Sequence, residues 1–213
     1  MVDMINRKVR GRPRTFDRDF ALERAMNVFW AVGFEGASIP MLTVAMGISA
    51  QSLYAAFDSK EALYREAMER YQATIGGFGA RALEQEDDAV DAMIRLLHDA
   101  AIAFSNNPAT PGCMITLAQA GPGDDVLTEY GRQLRAEGIE RAKARLERGK
   151  QEGQVRADVD SAAWARYITS VVQGLSIQAR DAAPLESLMS TAEIASRSLE
   201  AIRPAVRPAA RAQ

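Results

Sequence analysis

A chain of 213 residues, 47% hydrophobic and 25% charged, reads as a globular protein with enough length to bury one core or two small ones. No apolar run approaches the ~20 residues needed to span a bilayer, and the polar, basic start lacks a signal-peptide core, so a cytoplasmic protein without a membrane partner is expected. The single cysteine, Cys113, excludes an internal disulfide and suits a reducing compartment.

The net charge of -2 hides an uneven distribution. Five basic side chains and no acid fall within residues 7–14, in the run RKVRGRPR, while the rest of the chain is mildly acidic. A basic end on an acidic body points to local contact with a polyanion. Residues 1–14 read as a flexible basic arm.

From there on the periodicity is helical. Asp17 opens a first helix in which Leu22, Ala25, Met26, Phe29 and Trp30 recur on one face, and Gly33 ends it. After Ser38, a short helix carries Ile39, Leu42 and Ala45 inward, with Pro40 tolerated in its first turn. Gly47 supplies a sharp turn, Ile48 packs back, and Ser49 caps a second short helix with Leu53 and Phe57 facing inward. Ser59 caps a longer helix bearing Leu63, Ala67 and Tyr71, which the cluster GGFG at 76–79 interrupts or bends. Val90, Met93, Ile94, Leu97, Ala101 and Phe104 mark the next helix, stopped by SNNPATPG. A short apolar segment at 113–120 precedes a long polar helix from about Val126 to Glu152. Asp158 or Asp160 then caps a helix with Trp164, Tyr167, Ile168, Val171, Val172 and Leu175 on one face. Pro184 starts the last, with Leu185, Leu188, Met189, Ala192, Leu199 and Ile202. No alternating strand pattern and no internal repeat occurs, so the fold class is all-α; residues 204–213 read as a disordered tail.

Residues 38–57 have the form of a helix-turn-helix, whose second helix enters the major groove N-terminus first. With Leu53 and Phe57 inward, Ala50, Gln51, Ser52, Tyr54 and Ala55 are left outside. Gln51 has the donor and acceptor to read adenine, and Ser52 suits a base or a phosphate. Ser38, Tyr54 and Lys60 suit phosphate oxygens, and Ser49 stands at the helix start where it faces the groove.

The stretches FDRDFALERAMNVFWAVGFEGASI and LTVAMGISAQSLYAAFDSKEALY, over about residues 15–75, resemble the TetR/AcrR family of transcriptional regulators. The likeness includes Val32-Gly33-Phe34, the serine starting the second helix, the Ala-x-Gly-Ile-Ser turn and the Leu-Tyr-x-x-Phe-x-x-Lys run ending at Lys60. It implies a three-helix DNA-binding head over 15–75, a helical ligand-binding and dimerisation domain over 76–203, and a homodimer on an operator. Members usually repress until a small molecule binds. Carried over by position, Tyr54 and Lys60 are phosphate contacts and Gln51 and Ser52 face bases. Ala50 and Gln51 depart from what other members carry, so no operator sequence carries over. The segment VVQGLSIQARDAAPLESL looks like the last two helices of one branch, which dimerise.

Two readings remain for the arm. Arg10, Arg12 and Arg14 in RGRPR resemble the core of an AT-hook following a narrow minor groove, or they form a solvated tail that raises affinity for any DNA. In the body, Tyr71, Phe78, Met93, Leu97, Phe104, Cys113, Met114, Leu117, Trp164 and Tyr167 are candidates to line an apolar effector pocket, and for each taken singly plain core packing is the simpler reading. Cys113 is a small hydrophobe or a thiol that senses electrophiles.

Enzyme chemistry has little to stand on. One histidine, His98, has no partner pattern and reads as a helix-boundary residue; there is no phosphate-binding Gly-Lys loop, no HExxH and no metal-spaced cysteine set, so no cofactor is expected. The sequence therefore predicts a ligand-responsive regulator, a repressor that binds a palindromic operator as a homodimer and is released by an apolar or amphipathic effector. The alternatives are an architectural DNA-binding protein without a ligand, which would cover DNA broadly, and a thiol sensor acting through Cys113.

Overall fold

The computed structural model describes residues 16–118 and 126–205, which hold ten α-helices, two 3-10 turns and no strand. The arm expected at 1–14, including Arg10, Arg12 and Arg14, and the tail beyond residue 205 lie outside the described residues.

Short polar side chains start most of the helices. Asp17 accepts the Asp19 and Phe20 amides at the start of α1 (Arg18–Gly36); Ser38 does the same for α2 (Ile39–Met46), Ser49 for α3 (Ala50–Phe57) and Ser59 for α4 (Lys60–Ala73). Gly33 breaks α1 at φ 72°, ψ 178°, a conformation that only glycine enters easily, and one further turn then runs to Gly36. The GGFG cluster does more than bend α4. A 3-10 turn at Ile75–Gly77 ends it, and a separate α5 (Phe78–Gln85) begins. α6 (Ala89–Ser105), α7 (Met114–Leu117), α8 (Val126–Gln151), α9 (Ser161–Arg180, capped by Asp160) and α10 (Leu185–Leu199) complete the chain.

α1, α2 and α3 form a head that packs on α4, chiefly through α1. Phe29 meets Tyr64 edge-on at 5.1 Å, and Trp30 meets Tyr71 at 5.0 Å, so the head is seated on α4 by two aromatic pairs. In the body, α6 is central and packs against α5, α8, α9 and α10, while α7 touches α1, α4, α8 and α9. α7 is thus a wedge between head and body.

Ionic contacts fix the far end of α6. Asp88 caps it, accepting the Val90 amide at 2.8 Å and the Asp91 amide at 3.0 Å, and receives Arg203 Nη1 at 2.8 Å. Burial pushes the Asp88 carboxyl up, but the two amides and Arg203 outweigh burial and hold it below its ordinary 3.8. A depressed folded value means the stabilisation is fully present above 3.8 and is lost as pH falls through the folded value. Asn caps helices as well as Asp but carries no charge. The denaturation midpoint of Asp88→Asn should therefore lie below that of the parent at neutral pH, with the gap closing in acid; a gap constant with pH would show that the charge contributes nothing.

Candidate nucleic-acid interface

The head carries two short helices joined by three residues. α2 and α3 are bent 88° from each other across Gly47-Ile48-Ser49. Gly47 makes the corner at φ 68°, ψ 31°, in the left-handed region, and its N–H returns to the Thr43 and Val44 carbonyls. Leu42 and Met46 on α2 and Leu53 and Phe57 on α3 are buried beneath the corner, so both helices are locked to the core by i, i+4 pairs. Arg18 reinforces the seat: its guanidinium donates to Ala56 O at 3.2 Å, pairs with Glu66 at 2.8 Å and lies 4.3 Å from the Phe57 ring centre.

That packing leaves one side of α3 in solvent. Gln51 is exposed, and Tyr54 is 46% exposed. Ser49 Oγ accepts the Ser52 amide at 3.1 Å and lies 2.9 Å from Ser52 Oγ, so the two hydroxyls form one cap and Ser52 is half-buried. Ser38 is exposed while capping α2 through the Met41 amide at 3.3 Å. Lys60 is half-buried, with Nζ 4.1 Å from the centre of the Phe34 ring, a contact worth about 0.5–1 kcal/mol that holds the ammonium beside the head. Ser38, Ser49, Gln51, Ser52 and Tyr54 thus belong to α2, α3 or their N-caps, and Lys60 opens α4 just beyond.

Sequence reasoning passed over Thr43 and Val44. Val44 is 83% exposed on α2. At ~100° per residue it stands opposite the buried Leu42–Met46 stripe, and that angle was the available signal.

The ten candidate pocket residues do not share one site. Phe78 and Cys113 line a cavity of about 160 Å³ between α4, α5, α6, α8 and α9. Met114 and Leu117 line a different hollow, beside Phe29, Trp30 and Tyr64 of the head junction. Tyr71, Met93, Leu97 and Phe104 are buried core. Burial, and then the adjacent Cys113 thiol, push the Tyr71 hydroxyl far above its ordinary value, so it stays protonated. Trp164 and Tyr167 pack edge-on at 5.5 Å and border a separate depression with Ala163 and Ser198. They sit roughly half a turn around α9 from Thr169, Val172 and Gln173, which do line the cavity. The shared apolar face expected from Trp164 through Leu175 therefore divides. The sequence also missed the cavity's cations, Arg135 and Arg141. His98 is half-buried, with Nε2 3.7 Å from Glu193 and 3.5 Å from Ser196 Oγ.

Among the described residues no group of three or more His, Cys, Asp or Glu side chains is placed to hold a metal ion, and no single helix is long and apolar enough to cross a membrane.

A glycine-cornered helix pair on a packed three-helix head, with a helical body behind, defines a helix-turn-helix DNA-binding regulator. The model for bacterial regulatory proteins of the tetR family matches residues 21–67. The chain is 34% identical over 195 residues to the HTH-type transcriptional repressor ComR of Escherichia coli (strain K12), covering 87% of this chain and 90% of that one. It is 28% identical over 207 residues to the HTH-type transcriptional repressor BdcR of the same organism, covering 95% and 98%. Among solved structures, a cysteine mutant of the TetR family transcriptional regulator CifR, complexed with 26 bp double-strand operator DNA, superposes with a TM-score of 0.82 at 39% identity, covering 88% of this chain and 99% of that one. The chain belongs to the tetR family of transcriptional regulators.

The Ser49 cap gives a direct check on the interface. Ser49→Ala should lower stability by about 0.5–2 kcal/mol, read as a shifted denaturation midpoint. No shift would mean that the Ser49–Ser52 pair contributes nothing to α3.

Proposed function

We propose that the protein is a ligand-responsive repressor that binds a palindromic operator as a homodimer. The observation that carries the DNA-binding half is the solvent side of α3, where Gln51 and Tyr54 stand free while Leu53 and Phe57 are buried. Gln51, in the first turn of α3, offers the bidentate pattern that reads adenine. Ser38, Tyr54 and Lys60 act on phosphates, setting position and not sequence. The Ser49 and Ser52 hydroxyls, already shared with each other, serve the groove end of the helix. Arg10, Arg12 and Arg14 extend the contact along the minor groove.

Dimerisation is supported by the outer face of α9 and α10. Ile194 is 68% exposed on α10, and Tyr167 and Ile177 are exposed on α9. Gly174 has open space where a side chain would be, which suits the close approach of another helix. Two such pairs of helices from two copies form a four-helix interface and present two recognition helices to a two-fold site. The ligand-responsive half rests on the body cavity, which adjoins the wedge helix α7. A ligand releases DNA only by binding the DNA-incompetent state more tightly.

Two measurements test this. Footprinting on DNA selected from a random pool should give one short two-fold site, protected by the parent and not by Ile194→Glu, which should sediment as a monomer. A monomeric parent, or broad protection without a defined site, overturns the reading in favour of an architectural protein. On the selected site, Gln51→Ala should cost about 1–3 kcal/mol and relax preference at one base position, whereas Tyr54→Phe should weaken all sequences alike. Unchanged base preference in Gln51→Ala would remove Gln51 from base reading.

A further inference from the structure

The wedge helix α7 is held by a charge that has another use. Arg135, on α8, donates from Nη1 to Ile115 O at 3.2 Å and to Ala118 O at 3.1 Å, the carbonyls at the C-terminal end of α7. The same side chain lines the 160 Å³ cavity. Among the described residues no carboxylate is within ion-pairing distance of it, and the two α7 carbonyls are the acceptors it meets. The cavity lining includes a second guanidinium, Arg141, and no acidic residue. The remaining walls combine apolar Phe78, Leu96 and Val172 with the amide of Gln173. Burial, followed by Arg132, lowers the proton affinity of Arg135, but a guanidinium stays charged. A partly buried cation facing a largely apolar hollow, with no counter-charge among the described residues, favours an anion there.

α7 also connects the cavity to the head. Cys113, Ile115 and Thr116 face the cavity, while Met114, Leu117 and Ala118 border the hollow beside Phe29, Trp30 and Tyr64. Arg135 is close enough to Tyr64 to oppose the upward push of burial on that hydroxyl, which stands at about 12. One guanidinium therefore faces the cavity, the end of α7 and a head-contacting tyrosine.

We propose that the cavity binds a small carboxylate with an apolar body, and that the carboxylate draws Arg135 away from the α7 carbonyls, loosening the wedge under the head. The proposal rests on the ligand-responsive reading above and names the chemistry of the effector. A carboxylate takes a guanidinium through two parallel charge-assisted bonds, stronger than the neutral carbonyl contacts they replace. A cavity of ~150 Å³ is known to accept a benzene ring, so an aromatic acid of that size suits this one, with its carboxylate toward Arg135. Losing Arg135 leaves the Ile115 and Ala118 carbonyls to water, and the Met114 and Leu117 contacts with α1 and α4 lose their anchor.

The test uses benzoate and its uncharged analogue benzamide, titrated calorimetrically into the full-length protein and, separately, into its complex with the selected operator. Benzoate should bind at least about tenfold more tightly than benzamide, a difference of 1.4 kcal/mol. Arg135→Gln should erase that preference, and Arg135→Lys, which keeps the charge, should retain part of it even if the Gln variant proves too unstable to study. Saturating benzoate should weaken operator binding by the parent. Equal affinity for the two probes, no benzoate binding into the millimolar range, or a preference that survives in Arg135→Gln overturns the anion site. Release of DNA by neutral apolar compounds alone would overturn it too while leaving the ligand-responsive repressor standing. Benzoate binding through Arg135 with unchanged operator affinity would overturn the relay, while the ligand-responsive reading itself falls only if no compound bound in the cavity changes operator affinity.

Discussion

The seating of α1 on α4 is the contact on which the rest of the molecule depends. Phe29 and Trp30 meet Tyr64 and Tyr71 edge-on, two residue pairs on facing helices, each worth about 0.5–1.5 kcal/mol beyond the area it buries. α4 is capped by Ser59 directly behind the recognition helix and runs to the 3-10 turn that opens the body. It therefore belongs to both halves at once. A tilt of the body relative to α4 has no flexible linker in which to dissipate before it meets the head, because the two halves share a wall.

A second regularity is how the helices are held at their C-terminal ends. Arg180, at the end of α9, donates to the carbonyls of Trp30 and Ala31 just before the Gly33 break in α1. Arg135 does the same for α7, and the buried Arg145 donates to Glu86 O at 3.2 Å and Asp87 O at 2.7 Å, just beyond α5. In each case a cation from a distant helix meets carbonyls near a helix break or end, toward the negative end of the dipole. The caps that start most helices are local, whereas at these three places long-range contacts meet the carbonyls; α2 and α9 close their C-terminal ends locally. Formation of the ends of α1, α5 and α7 is thereby coupled to correct tertiary assembly.

That asymmetry also explains what could be read from the sequence. Asp17, Ser38, Ser49, Ser59 and Asp160 announced helix starts because a cap is a neighbour effect, and Gly47 announced the corner because only its backbone conformation matters. The helix-turn-helix and its exposed residues follow from the spacing of Leu42, Leu53 and Phe57, whereas on α2 it is Met46, not Ile39 or Ala45, that joins Leu42 in the core. α5 was hidden because four residues, two of them at the head of the new helix, read as a bend. The cavity was hidden for a different reason: Arg135 and Arg141 look like surface charges on a polar helix, and nothing local reveals that α8 turns them toward α4, α5 and α9. Periodicity places Trp164 and Tyr167 on one face with Ile168, Val172 and Leu175 and makes them candidates for the pocket, whereas α9 has apolar residues on both sides and these two border a separate depression. Periodicity identifies a face, but not which of two neighbours that face meets.

The distribution of tryptophan has a practical consequence. The chain holds only two. Trp30 is fully buried against Tyr71 at the junction of head and body, and its indole nitrogen has no hydrogen-bond partner among the described residues. Trp164 is half-buried on the outer side of α9. The protein thus contains two intrinsic fluorophores in different dielectric surroundings, one responding to movement of the head and the other to whatever covers the outer face. Replacing either with phenylalanine separates the two emissions, so events at the two ends of the molecule can be followed independently without an attached dye.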